Sequence, residues 1–483
     1  MGDTSYTVPL LIGGKDVVTH TNPSAPYQVF NPATGKNVHQ TSTGDAEHAR
    51  QAVEAAAAAL PEWRAWTPRR RRDLFLKAAE VMTRRRAELA SYMAAETGAA
   101  EAWANFNLDV AGDFFIDVAG RLGPAAEGRV PLTQDPNTGA MVLKEPFGVV
   151  LAIAPWNAPY ILGTRAILFP LAAGNTVVFK GSEFSPRVMW ALCSVLAEAG
   201  LPAGALNFLV SAPEQAAEVT EALVKHPEVK KINFTGSTNV GRIIGRLAGE
   251  NLKPVLLELG GKAPAIVWED ADLELAATQC ALGAFLNAGQ ICMSTERVIV
   301  HRRVAKAFED KFVAASDKIF GSGAAEAPVL IRRQAQDKVK SLVRDARDRG
   351  ATVALGTADD EPASEAVRMR PVILTGVTPE MSIYKTESFG PSVAVFEVET
   401  EEEALRLAND TEYGLSSAVF TESLQRGLRL ARGIETGAVH INSMTVHDET
   451  ALPHGGAKAS GHGRFNASAL DEWFRTKTVT YRI

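Results

Sequence analysis

Residues 149–180 read VVLAIAPWNAPYILGTRAILFPLAAGNTVVFK, and this stretch decides the predicted fold class. It places two apolar runs, Val149–Ala154 and Thr176–Lys180, on either side of a segment that begins at Pro159 and is long enough for a helix. Strands buried in a parallel sheet are apolar on both faces, and proline suits the first turn of a helix. The stretch therefore predicts a strand, a helix and a second strand parallel to the first.

The same alternation continues towards the C-terminus. The further predicted elements are a helix from Pro186, a strand at Ala205–Val210, a helix from Pro213, a strand at Lys231–Phe234 and a helix from Ser237. Such a series is typical of a doubly wound parallel sheet, which binds ligands at the carboxyl ends of its strands. A second run of the same kind, from Ala265–Trp268 to about Asn442, predicts a second α/β domain.

The segments that precede residue 149 predict helices and one long hairpin. Apolar residues at helical spacing predict helices at Ala46–Leu60, Pro68–Arg85 and Ala87–Glu96, with Thr67 as the N-cap of the second. Residues 129–132 and 140–144 flank turn-forming residues, which predicts a β-hairpin that leaves the body of the protein.

Composition excludes several function classes. The 50 Lys and Arg residues against 56 Asp and Glu residues give a net charge of -6, which argues against nucleic acid as a partner. The longest apolar run, Phe147–Ala154, is far below the roughly 20 residues that span a bilayer. Three cysteines cannot form a disulfide framework, and neither they nor the nine histidines have metal-site spacing. We therefore expect a cytoplasmic protein with no metal and no membrane segment.

Two residues are candidates for covalent chemistry. Glu258 ends an apolar run before two glycines, so it must be paired, exposed at a cleft, or raised in pKa as a general base would be. Cys292 follows a predicted helix and lies on a loop, which leaves a nucleophile and an inert buried thiol equally open. Cys193 and Cys280 fall within helical patterns and are expected to be inert.

Several weaker motifs have both a structural and a functional interpretation. Asn157, after a buried strand, is an oxyanion donor or a turn residue. Lys180 with Glu183 is a ribose-binding pair or a surface pair, and the turn at Gly236-Ser237 holds a phosphate or is only a tight turn. The even spacing of three histidines, at positions 440, 447 and 454, is interpreted as a coincidence.

In this order the motifs resemble those of the NAD(P)-dependent aldehyde dehydrogenase superfamily. The set comprises Pro155–Asn157, Lys180 with Glu183, Phe234–Ser237, Glu258–Lys262, Gly289–Cys292 and Glu387–Pro391. The likeness covers nearly the whole chain. The segments around Lys180 and Cys292 are most similar to the salicylaldehyde, benzaldehyde and vanillin dehydrogenases.

The resemblance implies an aldehyde dehydrogenase-like fold with two doubly wound, Rossmann-like α/β domains and a β-hairpin oligomerisation arm. The implied NAD-binding domain covers residues 1–125 and 147–259, and the implied catalytic domain covers residues 260–456. Residues 126–146 and 466–483 would form the arm and the C-terminal strand. These would pair with another subunit in a homodimer or a homotetramer.

The resemblance also implies a reaction path. The Cys292 thiolate would attack the aldehyde, and the side chain of Asn157 with the backbone amide of Cys292 would hold the oxyanion. Hydride transfer to NAD would convert the thiohemiacetal to a thioester, and Glu258 would activate the water that releases the carboxylic acid.

Further residues are assigned to the cofactor on the same basis. Lys180 and Glu183 would hold the adenosine ribose, the Gly236-Ser237 turn the pyrophosphate, and Glu387 the nicotinamide ribose. The aromatic residues Trp156 and Phe389 would pack beside the cofactor. Because Glu183 would repel a 2′-phosphate, NAD is expected to be preferred, with NADP possible.

The implied substrate pocket favours a flat ring. Its expected apolar lining consists of Trp103, Phe106, Leu162, Leu286 and Met293. Arg165 is expected either to contact a ring hydroxyl or methoxy group or to pair with a neighbouring carboxylate, and His454 would contact the ring from the opposite side.

Three departures from the family pattern affect only details. Thr386 stands at a position that is often acidic, and Ala166 stands where a lysine is common. Both are expected to alter the tuning of the site. The stretch 321–331 looks shortened, which predicts an altered surface loop.

Competing functions remain open at this point. Aldehyde oxidation of an aromatic substrate is the main prediction, with aliphatic aldehydes as the alternative. A thiol esterase could use the same acyl-cysteine, although it would not need a nucleotide pocket. A non-catalytic binding protein is disfavoured because all three candidate catalytic groups are present.

Overall fold

The computed structural model describes residues 6–19, 26–324, 326–357 and 365–483, apart from the side chains of residues 467 and 468. The α-helices are α1 (Ala46–Ala65), α2 (Pro68–Arg84), α3 (Arg86–Thr97), α4 (Glu101–Ala125), α5 (Pro159–Ala172), α6 (Pro186–Ala199), α7 (Ala216–Lys225), α8 (Thr238–Glu250), α9 (Leu273–Phe285), α10 (Ala305–Phe320), α11 (Arg333–Asp348), α12 (Ser382–Lys385), α13 (Glu401–Asn409) and α14 (Leu424–Gly433). Within these ranges every helix is too short or too polar to span a bilayer.

The strands are named in the same way. They are β1 (Thr7–Val8), β2 (Leu10–Ile12), β3 (Lys15–Val17), β4 (Tyr27–Phe30), β5 (Asn37–Thr41), β6 (Thr138–Pro146), β7 (Val149–Ile153), β8 (Thr176–Lys180), β9 (Leu206–Leu209), β10 (Val229–Thr235), β11 (Val255–Glu258), β12 (Ala263–Val267), β13 (Thr295–His301), β14 (Thr352–Leu355), β15 (Val372–Thr375), β16 (Ser392–Val398), β17 (Tyr413–Gly414), β18 (Ser416–Phe420), β19 (Ala438–Ile441), β20 (Ala457–Lys458), β21 (Gly461–His462) and β22 (Phe474–Arg482).

The first domain is built on an eight-stranded sheet with the order β21-β11-β10-β7-β8-β9-β2-β3. Its five central strands are parallel, and every residue of β7 and β8 is buried. Helices α1, α7 and α8 contact one another in one layer, whereas α5 and α6 contact each other in another. The doubly wound sheet predicted from residues 149–180 is therefore confirmed.

The second domain is built on a seven-stranded sheet with the order β14-β15-β16-β13-β12-β18-β19. All its strands are parallel except β14, which pairs antiparallel with β15. After β19 the chain returns to the first sheet, where β21 pairs antiparallel with β11. The domain bounds predicted from the sequence, 1–125 with 147–259 and 260–456, stay a prediction.

The arm differs from the predicted hairpin. Strand β6 pairs antiparallel with the C-terminal strand β22 over its whole length, from Thr138 opposite Arg482 to Pro146 opposite Phe474. Between the predicted hairpin strands 129–132 and 140–144, the described structure forms a single bridge, Arg129 with Val142. The hairpin prediction is wrong because it considered only neighbours in sequence, whereas nine residues of β22 supply a longer partner from the end of the chain. Pairing of this ribbon with another subunit stays a prediction.

Candidate active site

The site begins at the carboxyl edge of the first sheet. Asn157 follows β7, Lys180 ends β8, the Gly236-Ser237 turn follows β10, and Glu258 ends β11. The register pairs Thr235 with Glu258 across β10 and β11. Four motifs that are far apart in sequence therefore lie along one edge, as the doubly wound fold requires.

Cys292 reaches this edge on a strained loop. Helix α9 ends at Phe285, and Asn287, Ala288 and Gly289 then take left-handed φ angles of 50°, 58° and 69°. Non-glycine residues adopt this region at an energetic cost, which is common at functional sites. A Cβ on Gly261 would clash with the carbonyl oxygen of Cys292, so the glycine after β11 lets the two segments meet.

Asn157 is held against the loop that carries Cys292. Its Nδ2 donates to the carbonyl oxygen of Gln290 at 2.9 Å. Its own carbonyl oxygen accepts from Trp103 Nε1 and from Asn287 Nδ2, each at 3.1 Å. The bond to Gln290, which lies two residues before Cys292, uses only one of the two Nδ2 hydrogens of Asn157. It fixes the buried side-chain amide of Asn157 close to the thiol.

Glu258 lies beside the thiol but is already paired. Its Oε1 is 3.9 Å from Cys292 Sγ and 2.6 Å from His454 Nε2, and its Oε2 is 3.2 Å from Arg165 Nη1. Burial opposes ionisation, but the charges and hydrogen bonds of His454 and Arg165 outweigh it and lower the pKa of Glu258 to about 2. Of the three states expected for this carboxylate, the structure shows the paired one.

Arg165 adopts the second of its two expected states. Its guanidinium pairs with Glu258 and Asp448, and it lies over the rings of Phe114 and Phe465 at 5.6 and 5.7 Å. The side chain is buried, so these carboxylates and rings replace its solvation. Sequence reasoning did not single out Asp448, because it lies in a turn-like segment without helical or strand periodicity.

The Cys292 thiol is not activated in this arrangement. Burial, and next the negative charges of Glu258 and Glu387, raise the pKa of the thiol well above its usual value, while Arg165 opposes the shift. A thiolate is the nucleophilic form, so activation requires a positive charge near the sulfur or a stronger base. Cys193 and Cys280 are fully buried, and burial raises the pKa of each above the usual range.

A cavity of about 310 Å³ opens in front of Cys292. The residues assigned to catalysis or cofactor that line it are Trp156, Asn157, Gly236, Ser237, Glu258, Cys292, Glu387 and Phe389. Lys180 and Glu183 lie outside this lining, although Lys180 is buried at the end of β8, next to the last residue of β7. The Oγ atom of Ser237 accepts from Val240 N at 3.4 Å and so caps α8.

Glu387 borders the cavity from the second domain. Its Oε1 accepts from Gly261 N at 2.8 Å. Burial and then the negative charge of Glu296 raise the pKa of Glu387 to about 7. The ring of Phe389 meets that of Trp156 edge to face at 6.1 Å, which closes one wall of the cavity with aromatic surface.

Comparison with known proteins decides the family. The sequence matches the model of the Aldehyde dehydrogenase family over residues 18–479. The chain belongs to the aldehyde dehydrogenase family. It is therefore an oxidoreductase that acts on aldehydes, which confirms the family, fold class and enzyme class predicted from the motifs.

Relatives of this aldehyde dehydrogenase are similar over their whole length. The chain is 44% identical to a vanillin dehydrogenase of Pseudomonas fluorescens, covering 97% of this chain and 96% of the relative. It is 40% identical to a salicylaldehyde dehydrogenase of Pseudomonas putida, covering 94% of each. The crystal structure of a salicylaldehyde dehydrogenase from Pseudomonas putida G7 complexed with salicylaldehyde matches with a TM-score of 0.94 at 38% identity, covering 99% of this chain and 98% of that one.

The residues predicted to line the substrate pocket of the dehydrogenase do not share one cavity. Leu162 lines the cavity in front of Cys292, and Met293 lines a small cavity with His454. Trp103 and Leu286 line a separate cavity of about 470 Å³. Phe106 is 43% exposed and stacks on Trp103 at 5.5 Å, and it contributes to none of these three cavities.

Sequence reasoning missed part of the dehydrogenase site. Arg332, Gln334 and Lys338, at the start of α11, line the cavity in front of Cys292. Their helix has a strongly polar sequence, which looks like a solvated face unless the neighbouring domain is known.

The end of the stretch 321–331 contacts the loop that carries Cys292. Gln290, two residues before Cys292, accepts from Ile331 N at 2.9 Å and donates to the carbonyl oxygen of Val329 at 3.0 Å. Leu330 between them is fully buried. Residues 329–331 therefore support the loop that carries Cys292. The length of the stretch gave no indication that it bonds to the side chain of Gln290.

Proposed function

We propose that this aldehyde dehydrogenase oxidises an aromatic aldehyde of the benzaldehyde type, including ring-hydroxylated ones, to the carboxylic acid with NAD. The observation that carries the substrate class is the similarity, over nearly full length, to vanillin and salicylaldehyde dehydrogenases. Leu162 adds apolar surface to the cavity in front of Cys292, which suits an uncharged ring.

The residues around the cavity in front of Cys292 fit a dinucleotide. The N-terminus of α8, after Gly236 and Ser237, presents backbone N–H groups to an anion, as a pyrophosphate requires. Glu387 supplies an acceptor for ribose hydroxyls, and Lys338 adds a positive charge to the same lining. When bound there, NAD supplies a hydride acceptor.

In the acylation half, Cys292 forms the carbon–sulfur bond. Its sulfur attacks the aldehyde carbon as the thiol proton moves to Glu258, 3.9 Å away. The oxyanion is then held by Asn157 Nδ2 and the backbone N–H of Cys292. Loss of hydride leaves an acyl thioester on Cys292.

In the deacylation half, Glu258 takes a proton from the attacking water. A carboxylate with a pKa of about 2 is a weak base. Loosening of the contact with Arg165 or His454 would raise this pKa and make Glu258 a better base. The cycle ends when the sulfur leaves as a thiolate, takes the remaining proton of the acid to restore the thiol, and the carboxylate product departs.

Exposed apolar residues support the proposed assembly, and the free cysteines support the proposed compartment. Val130 and Leu132, on the arm, are 77% and 101% exposed, and Ile483, at the end of the ribbon, is 83% exposed. Such apolar surface supports contact with a second subunit, in a homodimer or a homotetramer. The three free cysteines support a reducing, cytoplasmic setting. Size measurement by light scattering, with Leu132→Asp as the variant, tests the assembly.

An aldehyde panel tests the activity. NADH formation is measured with benzaldehyde, salicylaldehyde, vanillin, acetaldehyde and betaine aldehyde, beside a p-nitrophenyl ester without cofactor. We expect the highest kcat/KM for the aromatic aldehydes. Higher kcat/KM for acetaldehyde or betaine aldehyde would contradict the substrate class, and ester cleavage without any NADH formation would contradict the dehydrogenase.

A further inference from the structure

Protons must leave a buried carboxylate during turnover. Oxidation of one aldehyde with NAD and water yields a carboxylate, NADH and two protons. If Glu258 accepts one proton in each half-reaction, it must lose two per cycle, yet it is only 1% exposed. Glu258 lines the cavity in front of Cys292, and substrate and cofactor fill that cavity during turnover, so these protons need a second route to solvent.

The first step of such a route is a short hydrogen bond. Glu258 Oε1 and His454 Nε2 are 2.6 Å apart, so one hydrogen must lie between the two atoms. On the other side of the ring, His454 Nδ1 faces Asp448 Oδ1 at 3.6 Å. Asp448 is itself held by Arg165 and by Asn466 Nδ2, the latter at 3.0 Å.

A small cavity continues the route beyond His454. Its volume is about 40 Å³, enough for at least one water molecule. It is lined by His454 and Asp448 on the inner side and by His440, His447 and Glu449 on the outer side. His447 Nε2 lies 2.8 Å from Glu449 Oε1, and these side chains are 36% and 56% exposed.

We propose that His454 carries the protons of Glu258 through this cavity to solvent and that Asp448 is a positioning residue for the imidazole ring. The proposal rests on the proposed function, because it uses Glu258 as the proton acceptor. It also gives the evenly spaced histidines a role, since all three line one cavity although the sequence spacing was interpreted as a coincidence.

The transfer involves protons only and breaks no other bond. The acid form of Glu258 passes its proton from Oε1 to Nε2 of the neutral ring, whose other nitrogen carries a hydrogen. The imidazolium then releases the Nδ1 proton into the cavity on the side of Asp448. Glu258 is again a carboxylate, and the ring, now the Nε2–H tautomer, donates to it. Exchange through the cavity gives the Nδ1–H tautomer when Glu258 takes up its next proton.

The charged groups that face His454 come from several elements. Glu258 approaches from β11, Arg165 from α5, and Asp448 from the loop that also carries His447 and Glu449. His440 approaches from β19.

His440 lines the same cavity as an uncharged ring. Burial, and next the charges of His447 and His454, lower the pKa of His440 to about 4, so this ring is neutral near pH 7. Its Nε2 has no hydrogen-bond partner among the described residues, so it is a polar group on which water in the cavity can be ordered.

The test separates hydrogen bonding from proton transfer. In His454→Gln the amide can still donate to Glu258 but cannot take up a proton. NADH formation and proton release are followed together by stopped flow, in weak buffer with a pH indicator, with NAD and benzaldehyde. We expect proton release to coincide with the NADH burst in the wild type and to lag about 10-fold or more in the variant, while kcat falls about 10²-fold and the KM for NAD is unchanged.

Chemical rescue provides the second variant. In His454→Ala, added imidazoles of rising pKa should restore kcat to increasing degrees, as expected when a base replaces the lost ring. The matched control is His462→Gln on β21, an exposed histidine next to β11, which should behave like the wild type.

Two results together would overturn the relay. One is proton release that stays synchronous with the burst in His454→Gln, and the other is His454→Ala without rescue. If His454→Gln does not fold, the rescue experiment alone decides. Absence of NADH formation by the wild type with every aldehyde would instead contradict the proposed function, so the two failures are distinguishable.

Discussion

Glu258 and Glu387 line the same cavity, and the protein shifts their pKa values in opposite directions. Both are buried, which by itself raises a carboxyl pKa. Arg165 and His454 reverse this effect at Glu258 and bring its pKa to about 2, whereas Glu296 adds to it at Glu387 and brings its pKa to about 7. The comparison teaches that burial sets the cost of the charge and that the neighbouring charges decide which form is present.

The difference assigns the two carboxylates separate tasks. Glu258 stays ionised beside the thiol and can take up a proton only when its contact with Arg165 or His454 loosens. Glu387 lies near its midpoint at neutral pH and, through Gly261 N, is bound to the turn that also contacts the Cys292 carbonyl. Substitutions at Glu258, at Glu387 or at the groups beside them test this difference.

The largest effect is expected from removing the sulfur that both carboxylates face. Cys292→Ala should abolish aldehyde oxidation, because no other described thiol lies in the cavity. Binding of NAD should survive, since the cofactor residues lie on other elements. Steady-state NADH formation and calorimetric NAD binding measure the two effects. Cys280→Ala, a buried thiol in α9, is the matched control, and oxidation by Cys292→Ala would refute the covalent path.

Glu258→Gln is expected to separate the half-reactions. The variant should form NADH in a slower burst, because the thiol proton must then pass to water, and it should stall as a thioester, because deacylation loses its base. We expect kcat to fall by about 10²–10⁴-fold. Rapid mixing with mass spectrometry of the acyl-enzyme provides the measurement. If the burst disappears together with turnover, Glu258 is required for acylation as well.

Glu387→Gln is expected to stabilise the protein above neutral pH. The pKa of Glu387 is raised from 4.5 to about 7, so the carboxyl contributes stability that is fully present below pH 4.5 and is lost as the pH rises through 7. The neutral amide of the variant avoids this loss, so its free energy of unfolding at pH 8 should be higher by roughly 1–3 kcal/mol. Urea unfolding at pH 5 and pH 8 checks the prediction.

The matched variant for this comparison is Glu258→Gln. The pKa of Glu258 is lowered, so its charge stabilises the fold above pH 4.5 and this contribution is lost as the pH falls through 2. At pH 8 the two substitutions should therefore change the free energy of unfolding with opposite signs. Equal signs would show that Arg165 and His454 do not control the charge of Glu258.

The smallest effect is expected at the far end of the cofactor site. Glu183→Gln should reduce the preference for NAD over NADP about 10-fold, because one negative charge no longer repels the 2′-phosphate. The ratio of kcat/KM for the two cofactors measures it. Burial lowers the pKa of Lys180, and the charge of Glu183 opposes this shift. The positive charge of Lys180 would attract the 2′-phosphate, so Lys180→Gln should change the ratio in the opposite direction. An unchanged ratio in both variants would show that neither residue belongs to the cofactor site.

Local features of the chain were predicted well. The strand Thr176–Lys180 and the cap at Thr67 follow from apolar runs and from the helix-start signal of Thr before Pro. The parallel, doubly wound sheet followed from the alternation of apolar strands with helices, whereas the strand order came from the structure. The family itself followed from short motifs, each of which lies on one element or turn.

Partners from distant segments were predicted poorly. The arm strand β6 was assigned a neighbour in sequence, but it pairs with β22 from the other end of the chain. Asp448 and Lys338 were missed because a lone acidic or basic residue in polar sequence carries no signal of burial or of a cleft. Such contacts depend on the packing of two domains, which no periodicity encodes.

By itself, the sequence determined the fold class, the family, and Cys292, Glu258 and Asn157 as the candidate reacting groups. These follow from residue types at short spacing, where local propensity and turn geometry decide. Only the tertiary structure decided that Glu258 is held by Arg165 and His454 and that the three histidines share a cavity. The charge state of a buried group depends on which charges lie within a few ångströms of it, and long-range chain folding sets those distances.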